Sequence, residues 1–227
     1  MYSGAAATRE RAHRLGRSVR YAHFATHALV DFRFPMESAL ALAPGKGGGR
    51  LEETAGLLPA WDIIDSMRLD ADLVTLSGCE TGLGSGDGGE GLVGLSRAFQ
   101  IAGARTVAAS LWSVSDRSTK ELMTRFYRGL VRGQRKDDAL RSAQRALISG
   151  EAGAAFAHPW HWAAFELFGD GRCVRSARGK RSRTSARFSS STTRGSGGTS
   201  APSASRPKTP TIYARPPFST SIGEERM

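Results

Sequence analysis

The spacing of apolar residues changes repeatedly along the chain, and each change marks an element. Tyr21 to Thr26 is a short aromatic and apolar run that reads as a buried strand ending at His27. Asp72 to Leu76 (DLVTL) is the clearest strand, and it runs directly into Ser77-Gly78-Cys79. Thr106 to Leu111 is another β-rich run, and the aromatic stretch Trp160 to Phe168 reads as a closing strand. Between these runs the spacing turns helical. Leu92, Leu95 and Phe99 share one face of a helix from Glu90 to about Ala102. After Ser115, Leu122, Met123, Phe126, Tyr127 and Leu130 form an apolar stripe, and residues 137–148 repeat the pattern with Ala139, Leu140, Ala143 and Leu147. Residues 4–15 favour a helix by composition. Pro59 opens one through about Met67, since proline costs nothing in a first turn. Residues 28–58 read as irregular, with Pro35, Pro44 and Gly47 to Gly49 marking loops and Leu40 to Ala43 a short strand.

Strands alternating with helices predict an α/β fold, a mostly parallel sheet with helices on both faces. In such sheets functional groups gather at the carboxyl ends of strands. His27 and Cys79 each sit just past the carboxyl end of a predicted strand.

From Arg172 onward Ser, Thr, Arg, Gly and Pro dominate and apolar residues are sparse. Such a segment buries too little apolar surface to offset its ordering entropy, so residues 172–227 are expected to be disordered. The formal charge of +11 is concentrated there: residues 171–227 hold twelve basic and two acidic side chains. The preceding 170 residues are nearly neutral, so nucleic-acid binding is expected at most weakly, through the tail. Two cysteines, Cys79 and Cys173, are too few for a disulfide framework or a Cys-rich zinc site. No stretch approaches the roughly 18 apolar residues of a membrane span. Arg9, Arg11 and Arg14 interrupt any signal core near the start. The expectation is a soluble cytoplasmic protein.

Cys79 follows an apolar strand and has Gly78 and Gly82 nearby, so a substrate has room to approach. A neighbouring imidazole lowers a thiol pKa from about 8.5 and creates a nucleophile. Taken alone, a cysteine is more often a small buried hydrophobe, and a histidine after a strand is more often structural. His23 lies inside its strand and reads as structural. The five histidines lack the paired spacing of zinc motifs, so no metal and no cofactor are expected. The glycine-rich loop Gly82 to Gly91 lacks a G-K-[ST] ending, and Asp87 and Glu90 would repel a phosphate.

The segments YAHFATHA (21–28), LSGCETGLG (76–84), GEGLVGLSRAFQIAGARTVAASLWSVSD (89–116) and HPWHWAAFELFGD (158–170) resemble those of the CHAT domain, a caspase-like family often attached to tetratricopeptide repeats. The resemblance covers about residues 2–170 in order. It implies a three-layer α/β/α sandwich of caspase type and a catalytic dyad of His27 and Cys79. The oxyanion would be met by the backbone N–H groups of Cys79 and Ala28, where Ala28 stands in place of the family's glycine. LWSVSD (111–116) resembles the segment that gives the related separases an acidic residue for an arginine side chain. Asp116 would then bind substrate; the alternative is that Ser115 or Asp116 merely caps the following helix. Glu80 receives no catalytic role.

The resemblance therefore implies a cysteine endopeptidase, a hydrolase cutting protein or peptide substrates after a basic residue. The alternative is an inactive or partner-dependent scaffold in signalling. The domain is expected over residues 1–171, lacking the family's first strand and helix and leaving an unpaired sheet edge. A tetratricopeptide-repeat protein or the missing N-terminal segment is the expected partner.

Overall fold

The computed structural model describes residues 2–45, 56–78, 80–82, 90–172 and 211–214. Cys79, the glycine-rich stretch 83–89, and tail residues 173–210 and 215–227 lie outside the described residues, as does the side chain of Leu92.

The main sheet has six strands in the order β1-β10-β2-β6-β8-β9. These are β1 (Tyr2–Ser3), β10 (Thr211–Ala214), β2 (Tyr21–Ala25), β6 (Leu73–Leu76), β8 (Thr106–Ser110) and β9 (Phe165–Gly169). All neighbours pair in parallel except β9, which runs antiparallel to β8. Helices α1 (Arg9–His13), α2 (Ala60–Ser66) and α3 (Glu90–Ile101) pack on one face, and α4 (Asp116–Val131) and α5 (Lys136–Ile148) on the other. The expected α/β/α sandwich with a mainly parallel sheet is the observed architecture.

The two-residue period of strands explains the layering. Ala22, Phe24, Val74, Leu76, Val107 and Ala109 belong to the core under α1–α3, whereas Leu73 and Ala108 belong to the core under α4 and α5. A sheet buried on both faces needs strands that are apolar at nearly every position. That is why YAHFAT, DLVTL and TVAAS stand out as runs. Phe24 meets Phe99 of α3 with ring centroids 5.2 Å apart. Leu122, Phe126 and Leu130 of α4 face Ala139, Ala143 and Leu147 of α5, as their stripes foretell.

Several elements differ from the sequence reading. The helix expected over 4–15 is split into a single 3-10 turn, Gly4–Ala6, and the short α1. Thr8 takes an extended conformation and bridges Ala43, whose N–H donates to Ala7 O at 2.8 Å. Tertiary pairing there overrides helix propensity. Residues 28–58 contain β3 (Ala28–Val30), β4 (Ala39–Ala41) and β5 (Leu57–Pro59), which join β7 (Glu80–Gly82) in a second sheet ordered β5-β4-β3-β7. The closing strand begins at Phe165, and Pro159–His161 is a 3-10 turn instead. β10, four residues of the tail, lies between β1 and β2 and pairs with both.

Candidate active site

Two features bring the end of β2 against the end of β6. The first is register. β2 pairs with β6 with Phe24 opposite Leu76, and β3 pairs with β7 with Ala28 opposite Glu80. Both parallel pairings carry the same offset of 52 residues. His27 and Cys79 are separated along the chain by that offset too. His27 is described; Cys79 is not, and only its flanking residues Gly78 and Glu80 bear on it.

The second feature is close packing of backbone. A Cβ built on Gly78 would lie 1.5 Å from the carbonyl oxygen of Thr26 and 3.4 Å from the His27 nitrogen. No other residue type fits position 78 without moving one of the two chains. Gly78 is therefore required for close approach, not for an unusual φ. The other side of His27 is held by β4: the Ala41 N–H donates to His27 O at 2.9 Å, and the Thr26 hydroxyl donates to Ala41 O.

Beside this junction lies an open cavity of about 300 Å³. Its floor is formed by His23, Ala25, Thr26, His27, Ser77 and Gly78, and its wall by Asp116, Thr119, Lys120 and Met123 of α4. His23, Ala25 and His27, at every second position, all line it.

The floor carries several polar side chains. His23 Nε2 lies 2.6 Å from the Ser77 hydroxyl, while the Ser77 N–H donates to Phe24 O at 3.0 Å. His23 is buried against Tyr127, ring centroids 5.7 Å apart, and burial pushes its pKa down to about 4. It is a neutral imidazole at pH 7. The Tyr127 hydroxyl donates to Thr75 Oγ1 at 2.7 Å, and burial pushes its pKa up. Among the described residues, the buried Nδ1 atoms of His23 and His27 have no hydrogen-bond partner.

At the rim, Ser115 is the N-cap of α4 and its hydroxyl accepts the Ser118 N–H at 3.2 Å. The capping role goes to Ser115, and Asp116 is an exposed first-turn residue lining the cavity. Ala28 opens β3, an extended strand that alanine adopts without strain. His161 is not in the cavity; its Nδ1 lies 3.2 Å from the Ser118 hydroxyl.

His23, expected to be structural, is buried in β2 and bonded to Ser77, and it also lines the cavity with Ser77, Thr119, Lys120 and Met123, which no sequence motif singles out. For His23 the two-residue spacing with Ala25 and His27 is the signal that places it on the cavity side. The α4 residues gave no such signal, because only the packing of α4 brings them over β2. Among the described residues no group of three or more His, Cys, Asp or Glu side chains could hold a metal, and no helix is long and apolar enough to cross a membrane.

The family model of the CHAT domain matches residues 1–170. The chain is 31% identical over 198 residues to Tetratricopeptide repeat protein 28 of Mus musculus, and 30% identical over 198 residues to the protein of that name from Homo sapiens. Each alignment covers 73% of this chain but 8% of the relative, so the chain corresponds to a small part of these much longer proteins.

Proposed function

The chain belongs to the CHAT domain family, and on that footing we propose that it is a cysteine endopeptidase using Cys79 and His27. The observation that carries the reading is the common offset of 52 residues on both sides of the two positions, reinforced by the Gly78–Thr26 contact. A nucleophile and its base must come within hydrogen-bond reach, and a shared register supports that juxtaposition. His27 brings a buried ring nitrogen with no partner among the described residues.

In this reading the Cys79 sulfur, as thiolate, attacks the scissile carbonyl carbon and forms a tetrahedral oxyanion. The oxyanion accepts hydrogen bonds from the backbone N–H groups of Cys79 and Ala28. Collapse breaks the C–N bond, His27 gives its proton to the leaving amine, and a thioester remains. Water then adds to the thioester while His27 takes its proton, releasing the carboxylate and restoring the thiol. Asp116, on the cavity wall, receives a basic side chain of the substrate, for which a carboxylate is the natural partner. A reduced thiol requires a reducing compartment, which favours the cytoplasm.

The test is covalent labelling with an arginyl-peptide chloromethyl ketone, followed by peptide mapping. The expected result is a thioether on Cys79, abolished by Cys79→Ala and strongly slowed by His27→Ala. Labelling elsewhere, or at a rate unchanged by His27→Ala, would leave a scaffold of the same fold as the better account. The name of the two relatives supports one partner class: tetratricopeptide repeats, joined to or docked against the domain.

A further inference from the structure

The main sheet is continuous only through a strand from far along the chain. β1 pairs with β10, Tyr2 opposite Tyr213 and Ser3 opposite Ala214. β10 pairs in turn with β2, from Thr211 opposite Ala22 to Ala214 opposite Ala25. Among the described residues nothing else lies between β1 and β2. Without β10, β2 would present a row of open N–H and C=O groups, a template for any extended chain. That strand leads directly to His27, and β10 ends opposite Ala25, two residues before it.

The sequence of β10 suits a short inserted strand. Thr-Ile-Tyr is β-favouring, and Pro210 on one side with Pro216 and Pro217 on the other bounds the run. A proline has no N–H to give to a ladder, so the pairing segment is limited to the residues between. In a tail dominated by Ser, Arg and Gly, this composition specifies one strand.

We propose that residues 211–214 are a detachable strand that closes the β2 edge in cis, so that the basic tail is a conditional part of the sheet that carries His27. The residues 173–210 that connect it to the rest of the domain number 38. Fully extended, a connection of that length reaches about 130 Å. The gap from β9 to the β10 position is four strand spacings, about 19 Å. Length permits closure in cis and equally permits exchange between copies. Tethering decides between them, because it makes closure unimolecular while exchange depends on protein concentration. Arg175, Arg178, Lys180, Arg181, Arg183 and Arg187 stand in the first part of the connection. A cut there would turn the closing strand into a separate peptide bound by four residues of pairing, and the edge would open on dilution.

The experiment is hydrogen exchange on the full chain, comparing wild type with Ile212→Pro and with Ser205→Pro as a control outside the strand. Ile212→Pro removes one donor and breaks the run. It is expected to speed exchange of alternate amides in Tyr21–Ala25 about tenfold or more, with Val107–Ala109 of β8 unchanged and the control like wild type. Unchanged protection of β2 in Ile212→Pro overturns the proposal. If that variant loses protection throughout, the peptide spanning residues 208–216 is added: restored protection supports closure by this strand, and no restoration contradicts it. Protection of β2 in the wild type that rises with protein concentration would show exchange between copies and overturn closure in cis.

Discussion

The two ends of the main sheet are built on opposite rules. At the amino end of the parallel strands, buried polar groups are tied off. The Arg20 guanidinium donates twice to Asp72 Oδ2, at 2.8 and 2.7 Å, and Arg105 lies 3.9 Å from the same carboxylate. The buried Lys136 Nζ donates to Thr106 Oγ1 and to Asp170 O, both at 2.7 Å. At the carboxyl end, two buried imidazole nitrogens have no partner among the described residues, and the chain opens onto a cavity. Buried polar atoms are normally satisfied. In open α/β sheets this is the end of the strands where ligands bind. The amino end serves stability and the carboxyl end is open to chemistry, and substitutions at each end should separate the two.

The largest effect is expected from Gly78→Ala at the carboxyl end. Its Cβ would collide with Thr26 O, so the junction of β2 and β6 must part. Displacements on the order of 1 Å cost about 100-fold in positioned chemistry. Labelling of Cys79 by the arginyl chloromethyl ketone should fall by about that factor. Gly16→Ala, with no atom within 4 Å of the added Cβ, should leave it unchanged.

Next comes the pH dependence of His23. Its folded pKa is depressed to about 4 from 6.5 by burial. The unfolded chain takes up the proton first as pH falls, so stability is complete above pH 6.5 and declines down to about pH 4. The loss is roughly 3 kcal/mol, following the linkage of pKa shifts to stability. Urea unfolding at pH 7 and pH 4.5 measures it, and His23→Gln should flatten the slope while keeping a hydrogen bond to Ser77.

At the amino end, burial pulls the Lys136 pKa below its ordinary value, so its charge is held at a net cost despite good partners. Stability should rise with pH toward 10.5 in the wild type, and Lys136→Met should remove that rise. At pH 7 Lys136→Met should cost about 1–2 kcal/mol, since lost charged hydrogen bonds are offset by the removed desolvation. Labelling of Cys79 should be untouched. The smallest effects divide two neighbours on α4. Ser115→Ala should cost about 1 kcal/mol of stability as a lost N-cap, with little effect on labelling. Asp116→Asn should leave thermal stability nearly unchanged and weaken the preference for arginyl over norleucyl probes about tenfold, the scale of one charged hydrogen bond.

Much of this architecture was legible in the sequence for a stated physical reason. β2, β6 and β8 are largely buried on both faces, so they appear as runs that are apolar at most positions. The stripes of α4 and α5 reflect one buried face each. By contrast, β3, β4, β5 and β7 have three residues apiece, too few for a period to register. Their pairing depends on neighbours distant in sequence. β10 was hidden differently, since Thr-Ile-Tyr is β-favouring but sits in 56 residues whose average composition argues for disorder. At the site, His27 and Asp116 both line one cavity, which tertiary packing creates. The need for glycine at position 78 rests on a backbone contact that no local pattern encodes.

If His27 and Cys79 act as one unit, the rate of iodoacetamide alkylation of Cys79 against pH reveals it. The reference is the same thiol in the urea-unfolded chain, where the midpoint should be near 8.5. A working dyad gives a folded midpoint lowered by about one unit or more, returning to the reference in His27→Ala. A folded Cys79 that titrates with the unfolded chain, or whose midpoint is the same with and without His27, would contradict it.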